Sequence, residues 1–514
     1  MTNKMISFFS NRQILITAIL AGPLPAGYFL SHNYQNVSDI RSSRFARFFG
    51  YLGTLALIVL TLYISETVLF AETPVQKGSP AGYSFELLTI LVFQSLLALL
   101  FLYFNKRTLS KSNYKTEIYP VKKIIPWFLG GVVIILSFML LREFVFFVLI
   151  VYVLPNLYLH SRIKKAFRPG RQRALFTGIF VLIVLLFPLG MFAQAGIGHV
   201  LLRYVRFAGY YFLPVLLYTF LLYLLFDLVR VFNWKGRFIS KSVLVSRKFN
   251  VLVFLAIMVI TSSIVVTGAY NFNHPQINKY RISVPAKSSK ADHLKIAMTA
   301  DIHLSEITSK RFVKRLVNKM NSINADIILL PGDIIEGDKS NPKSEYFEKQ
   351  FTKLQSKYGV YAADGNHEIY MGNKKFDFFE DAEIEVLRDT VIRIDDSFYL
   401  IGRRDVHDQK RRPFEELSNQ LTDSLPSLLL DHQPSEFETA YENNIDIQFS
   451  GHTHNGQMFP FQYITRAIYE LSWGYKKIQN THFFVTSGAQ GWGPPVKTSA
   501  PSEIMEIDVY FEEE

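Results

Sequence analysis

Up to about residue 270 the chain runs in long apolar windows broken by short basic stretches; from about residue 280 it changes to short apolar runs, glycine-containing turns and polar helical stretches. Windows of about 18 to 22 mainly apolar residues are long enough to cross a hydrocarbon core of about 30 Å as helices. The clearest lie at 49–70, 87–104, 124–141, 174–193, 207–226 and 251–268. Two others are weaker. Residues 13–30 contain Gly22-Pro23-Leu24-Pro25, compatible with a re-entrant hairpin, and 144–159 is short and parted from its predecessor only by Arg142 and Glu143. The pattern predicts seven or eight spans over residues 1–270, the first without the cleavage signature of a leader peptide, and then a separate α/β domain over 271–514.

In that second part strands are expected at 294–298, 327–330, 360–362, 398–401, 427–430, 445–449 and 483–486, with helices at 310–323 and 344–356 between them. The polar chemistry gathers where these strands end. Asp301-Ile302-His303 follows the first, Gly332-Asp333 the second and Gly365-Asn366-His367-Glu368 the third; Asp431-His432 and Gly451-His452-Thr453-His454 follow two of the later runs. Side chains at the carboxyl ends of strands in an α/β sheet converge on one crevice. Five apolar runs ending in carboxylate, amide or imidazole therefore make a constellation.

Charge changes the picture further. The 514 residues carry a formal +12, which alone suggests an anionic partner, but residues 1–269 hold 27 basic and 7 acidic side chains while residues 270–514 hold 28 and 36. The excess belongs to the apolar half, where it reads as a record of topology. Successive loops contain three, one, six, one, six, two and six Lys or Arg. If the six-fold loops stay in the cytoplasm, the last span leaves it and the second domain lies on the extracytoplasmic face. Nucleic acid is disfavoured as a partner because the second domain is net acidic, and membrane lipids are favoured. The absence of cysteine removes thiolate metal sites and Cys nucleophiles.

The ordered set D-x-H, G-D, G-N-H-E, a lone H and G-H-T-H resembles the calcineurin-like metallophosphoesterase superfamily, and the stretches around 450–457 and 487–497 resemble its membrane-associated bacterial members. The resemblance implies a polytopic α-helical membrane domain followed by an α/β metallophosphoesterase domain, a two-sheet β-sandwich flanked by helices. It implies two divalent metal ions, one held by Asp301, His303, Asp333 and His454, the other by Asp333, Asn366, His432 and His452, with Asp333 bridging. Donors of this kind, without thiolate, suit Mn, Fe or Zn. The implied reaction is hydrolysis of a phosphate ester or pyrophosphate by a metal-bridging hydroxide, with His367 near the leaving group and Asp364 and Glu368 flanking it.

Other polar residues carry weaker expectations. His407 and His482 read as satisfied surface or packing residues. Arg403, Arg404, Arg411 and Arg412 read as a solvated loop edge, or less readily as an anion clamp. Trp473, Tyr475, Lys476 and Lys477 read as ordinary surface or as a contact with headgroups, Gly488 to Pro495 with Trp492 as a rigid loop that the family likeness makes a pocket wall, and Glu66 and Asp227, inside or at the edge of spans, as structural pairs or interface positions. The expected protein is a multi-pass, membrane-anchored phosphohydrolase acting on a lipid-linked or envelope phosphate. The alternative is a polytopic transporter or sensor whose metal-binding domain binds a phosphorylated ligand without turnover; a metal-dependent nuclease is disfavoured.

Overall fold

The computed structural model describes residues 148–192 and 199–512, apart from 237, 286–287, 337–340, 342, 371–377 and 422–424, together with 6–8, 46 and 116–118. It divides into two compact units, Met1–Leu154 and Pro155–Glu514. In the first, β1 (Ile6–Phe8) pairs in parallel with β2 (Thr116–Ile118). The spans expected at 13–30, 49–70, 87–104 and 124–141 lie outside the described residues, and 144–159 is helical from residue 148 onward.

The second unit begins with helices: α1 (Leu154–Ile163), α2 (Arg171–Phe192), α3 (His199–Gly236), α4 (Lys241–Val245) and α5 (Arg247–Asn273). α2, α3 and α5 are long and apolar enough to cross a membrane and contain the stretches expected at 174–193, 207–226 and 251–268. α5 starts cleanly because the Ser246 hydroxyl accepts from the Phe249 N–H at 3.2 Å, satisfying one of the free donors of its first turn. Asp227 of α3 is paired structurally, as expected. It accepts from Tyr158 of α1 at 2.7 Å and lies against Arg162 and, at 3.7 Å, Arg230.

α5 passes after two residues into β3 (Gln276–Pro285), and two six-stranded sheets follow. The first has the order β3, β14 (Glu503–Glu512), β4 (His293–Met298), β5 (Ile327–Pro331), β6 (Val360–Ala363) and β7 (Glu385–Leu387). The second has the order β12 (Gly474–Ile478), β13 (Thr481–Val485), β11 (Ile447–Ser450), β10 (Ser427–Leu430), β9 (Phe398–Gly402) and β8 (Thr390–Ile394). β4 to β7 run parallel to one another, as do β9, β10, β11 and β13. Central parallel strands are covered on both faces, which explains why β5 reads as an unbroken apolar run with all five residues buried. Ile327 and Leu329 of β5 face the layer between the sheets, with Leu428, Leu430, Phe449 and Phe484. Ile328 and Leu330 face outward onto Phe312, Leu316 and Met320 of α6 (Lys310–Ser322) and Phe347 and Phe351 of α7 (Ser344–Phe351).

The strand expectations hold within two residues of the observed ends, whereas the helix expected at 344–356 stops at Phe351. β3, β7, β8, β12 and β14 were not expected. The stretch Trp473 to Lys477 is mostly edge strand β12, and its aromatics are engaged within the domain. Trp473 donates to Glu503 at 2.8 Å, and the Tyr475 hydroxyl meets His482 Nδ1 at 2.9 Å.

His482 is a buried packing residue, as expected. Burial, with Lys477 adding, pushes its imidazole down to about 4. Its folded pKa lies below the unfolded value of about 6.5, so its stabilising neutral form is complete above that pH and is lost as pH falls toward 4. Between pH 7 and pH 4.5 the Tm of the wild type should therefore fall more than that of His482→Gln, by roughly several degrees. Parallel melting curves for the two proteins test this, and superimposable pH dependences would remove the role.

Candidate metal centre

The carboxyl ends of β4, β5 and β6 in one sheet and of β10 and β11 in the other open onto a common edge. Backbone bonds tie the strand-end loops into one floor: Asp301 N donates to Gly332 O at 3.1 Å, His303 N to Asp333 O at 3.1 Å and Gly451 N to His432 O at 2.8 Å. The loops turn sharply. Asp301 (φ 51°), His303 (φ 48°), Asp333 (φ 54°), His452 (φ 69°) and His454 (φ 49°) all occupy the left-handed region. Such conformations cost on the order of 1 kcal/mol or more each for residues with a Cβ, and cluster where the surroundings impose them for function. Two glycines permit the close approach of carboxylates. A Cβ on Gly365 would lie 2.2 Å from Asp333 Oδ1, and one on Gly451 would lie 2.4 Å from Asp301 Oδ2.

All seven sequence-expected ligands come together. The ligand atoms of Asp301, His303 and His454 lie within 4.8 Å of one another, and so do those of Asp333, His432 and His452. Asp333 Oδ2 stands 3.8 Å from His303 Nε2 and 3.2 Å from His432 Nε2, so one carboxylate reaches both groups. Asn366 Oδ1 is 2.8 Å from His452 Nδ1. The Nε2 atoms of His303 and His454 face each other at 3.2 Å, an arrangement of two buried imidazoles that a cation between them would satisfy. His432 Nδ1 is held by Pro331 O at 2.8 Å, which turns Nε2 toward the cluster. His303 Nδ1, His432 Nε2 and His454 Nδ1 are buried without a hydrogen-bond partner. Orphaned imidazole nitrogens among carboxylates, with no sulfur present, fit borderline divalent cations.

The electrostatics of three of the four imidazoles suit ligation. Burial pushes His303 down to about 3 and His452 to about 4, and drives His454 well below its ordinary value, so these rings are neutral and have lone pairs to give. Burial opposes ionisation of Asp333, yet the imidazoles of His432, His303 and His367 outweigh it and hold the carboxyl well below the usual range. His432 rises well above its ordinary value because Asp333 and Asp301 overcome its burial.

His367 stands at the edge of the cluster, its ring 4.6 Å from that of His303 and 6.3 Å from Trp492. Its backbone N–H donates to Asp333 Oδ1 at 2.9 Å. The flanking carboxylates do not orient it. Asp364 is gripped by Arg388 through bonds of 2.6 and 2.9 Å, and Glu368 accepts from the N–H groups of Asp333, Ile334, Ile335 and Gly365 at 2.8 to 3.0 Å. Glu368 is thus the clasp that joins the G-D loop to the G-N-H-E loop.

The arginines of 403–412 are mostly engaged in ion pairs. Arg403 and Arg411 bind Asp431 (3.2 and 2.7 Å) and Glu436 (2.9 and 3.0 Å), and Arg404 binds Asp408 at 2.7 Å, whereas Arg412 is exposed. His407 is held by Asp405 at 2.7 Å. Trp492 does wall the site: Gln457 bonds both its N–H and its carbonyl, at 3.0 and 2.9 Å.

Sequence reasoning missed Glu336 and Lys497. Glu336 places an oxygen 3.7 Å from His303 Nδ1, and burial with Asp333 pushes it up to about 7. Its signal was its place three residues after Asp333 at a strand end. Lys497 is fully buried behind Asp301, donating to the carbonyls of Ser487 (2.5 Å) and Gly488 (3.0 Å), and nothing in its local sequence distinguishes it from a surface lysine.

Residues 294–456 match the calcineurin-like phosphoesterase family. An uncharacterized metallophosphoesterase of Helicobacter pylori is 32% identical over 218 residues, 41% of this chain and 58% of that protein's length. One from Campylobacter jejuni is 26% identical over 385 residues, 72% of this chain and 99% of the relative, a match that necessarily extends into the helical segments before residue 271. A zebrafish transmembrane protein with metallophosphoesterase domain is 26% identical over 56% of this chain and 70% of its own length. The ordered strand-end residues, their convergence on one edge of a two-sheet domain and these matches agree: residues 294–456 form a domain of the calcineurin-like metallophosphoesterase superfamily.

Proposed function

We propose that this chain is a membrane-anchored, binuclear metal-dependent phosphohydrolase that cleaves a phosphate ester or pyrophosphate of a lipid-linked or envelope substrate on the extracytoplasmic face. The observation that carries the reading is Asp333, whose Oδ2 stands between the imidazoles of two separate ligand groups. Asp301, His303 and His454 would hold one cation, and Asn366, His432 and His452 the other, with Asp333 shared. Two such cations would acidify a coordinated water and neutralise phosphoryl oxygens. His367, at the edge of the cluster with the Trp492 ring 6.3 Å away, would donate a proton to the departing oxygen. Glu368 and the Asp364–Arg388 pair keep the loops in register without meeting substrate. The multi-pass placement draws support from α2, α3 and α5, and the sidedness from the basic loops between spans.

The test uses full-length protein in detergent micelles. Chelation should abolish hydrolysis of bis(p-nitrophenyl) phosphate, and Mn, Fe or Zn should restore it as metal content reaches two per chain. Restoration at one equivalent would refute the binuclear reading, and metal binding without turnover of any phosphate in a panel of esters and lipid pyrophosphates would favour a binding-only module. Protease cleavage of residues 271–514 on intact cells reads the sidedness.

A further inference from the structure

Among the described residues of the phosphoesterase domain, four of the most exposed large apolar side chains crowd into one ten-residue stretch: Phe459 (45% exposed), Tyr463 (61%), Ile464 (56%) and Ile468 (68%). The stretch contains the short helix α8 (Gln462–Ile468), which buries only Gln462 and turns its apolar residues outward. Helices of soluble domains face the other way. Its one charged residue is Arg466. A patch of this kind marks a contact surface, and its neighbours indicate which one.

The Phe459 N–H donates to Thr498 Oγ1 at 2.9 Å, and the same oxygen is bonded by Tyr218 of α3. Beside Thr498, Val496 is buried with Tyr218 and with Val265 of α5. The backbone N–H of Lys497 donates to Gly268 O of α5 at 2.9 Å, and a Cβ on Gly268 would come within 2.5 Å of Val496. Tyr218, Val265 and Gly268 all lie inside helices long and apolar enough to span. The exposed stretch therefore leaves the domain at the point where the domain is seated on those helices.

We propose that Phe459, Tyr463, Ile464 and Ile468 lie in the headgroup and upper acyl zone of the bilayer that holds α3 and α5, and that this seat presents the metal centre to phosphate groups carried by amphiphiles. An aromatic pair (Phe459 and Tyr463, 6.1 Å apart), aliphatic side chains and a single Arg suit the interfacial zone, where amphipathic rings and cations favour anionic headgroups. The seat is joined to the chemistry by a short path. His454 is five residues before Phe459, and Gln457, between them, clasps Trp492, whose ring lies 6.3 Å from that of His367. The inference rests on the phosphohydrolase reading for its substrate class, but the membrane seat stands on the contacts alone.

The chain has no cysteine, so Ile468→Cys accepts one environment-sensitive fluorophore in the full-length protein. In vesicles of phosphatidylethanolamine and phosphatidylglycerol the label should emit to the blue and be quenched by spin-labelled lipid, while a label at Lys349→Cys, on the exposed face of α7, should behave as in water. Equal quenching of both labels by aqueous iodide, or a blue shift that grows with protein density and so reports a second copy, would overturn the seat. In parallel, the double variant Ile464→Glu with Ile468→Glu should lose about tenfold or more in hydrolysis of a vesicle-embedded long-chain phosphate ester, because two carboxylates replace apolar anchors. Its rate on soluble bis(p-nitrophenyl) phosphate should be unchanged. Unchanged rates on both substrates would overturn the substrate class. Failure of the wild type on every ester would overturn the phosphohydrolase reading and leave the fluorescence to judge the seat.

Discussion

Asp333→Asn should lower hydrolysis by at least about a thousandfold and release metal in the same step. The substitution is nearly isosteric, and the amide oxygen can still accept from the His367 N–H that now meets Oδ1 at 2.9 Å. What changes is the other position. Oδ2, aimed at His432 and His303 at 3.2 and 3.8 Å, becomes an N–H donor that no cation can share. The negative charge that the neighbouring imidazoles hold in place is lost as well. Metal content by mass spectrometry should fall below two per chain, and circular dichroism should show an intact fold. A variant that keeps two metals and full turnover would refute the assignment of Asp333 as the shared ligand.

His367→Ala should behave differently, because the ring lies beside the ligand groups and its removal leaves both sets of donors in place. Metal content should stay at the wild-type value while kcat falls by about a hundredfold or more, the usual weight of a positioned proton donor. The penalty should depend on the departing group. Nitrophenolate leaves without a proton, so the loss on its esters should be much smaller than on an alkyl ester. Parallel kcat measurements on the two substrates separate proton donation from simple positioning, and an undiminished kcat on the alkyl ester would remove the catalytic role.

The site was legible in the sequence because each ligand directly follows a buried strand, and a strand buried on both faces announces itself as an unbroken apolar run. β5 and β10 are of this kind. β14 was not legible for the converse reason. It carries Glu503, Glu506 and Asp508, charged positions whose partners lie far off in the chain: Lys279 meets Glu506 at 3.0 Å and His293 meets Asp508 at 2.9 Å. Roles set by long-range contacts were hidden in the same way. Asp364 and Glu368 looked like attendants of His367 by adjacency, whereas Arg388 and four backbone N–H groups claim them. Arg403 and Arg411 looked like an exposed basic edge, and pair instead with Asp431 and Glu436. In the helical part, apolar length was enough to find α2, α3 and α5, because a span is defined by its own sequence.

The position of β14 has a consequence for biosynthesis. It follows every other strand in the chain yet lies between β3 and β4, so its place stays open through more than 200 residues of elongation after Met298. Pairings of such long sequence separation form late. Until β14 arrives, β4 lacks the neighbour whose Glu503 carbonyl accepts the Thr299 hydroxyl at 2.8 Å, two residues before Asp301. A nascent chain that has already displayed every ligand through His454 still has an unfinished floor beneath the first of them. Chains truncated before residue 503 should therefore take up metal poorly, and a metal content equal to that of the full-length protein would refute this.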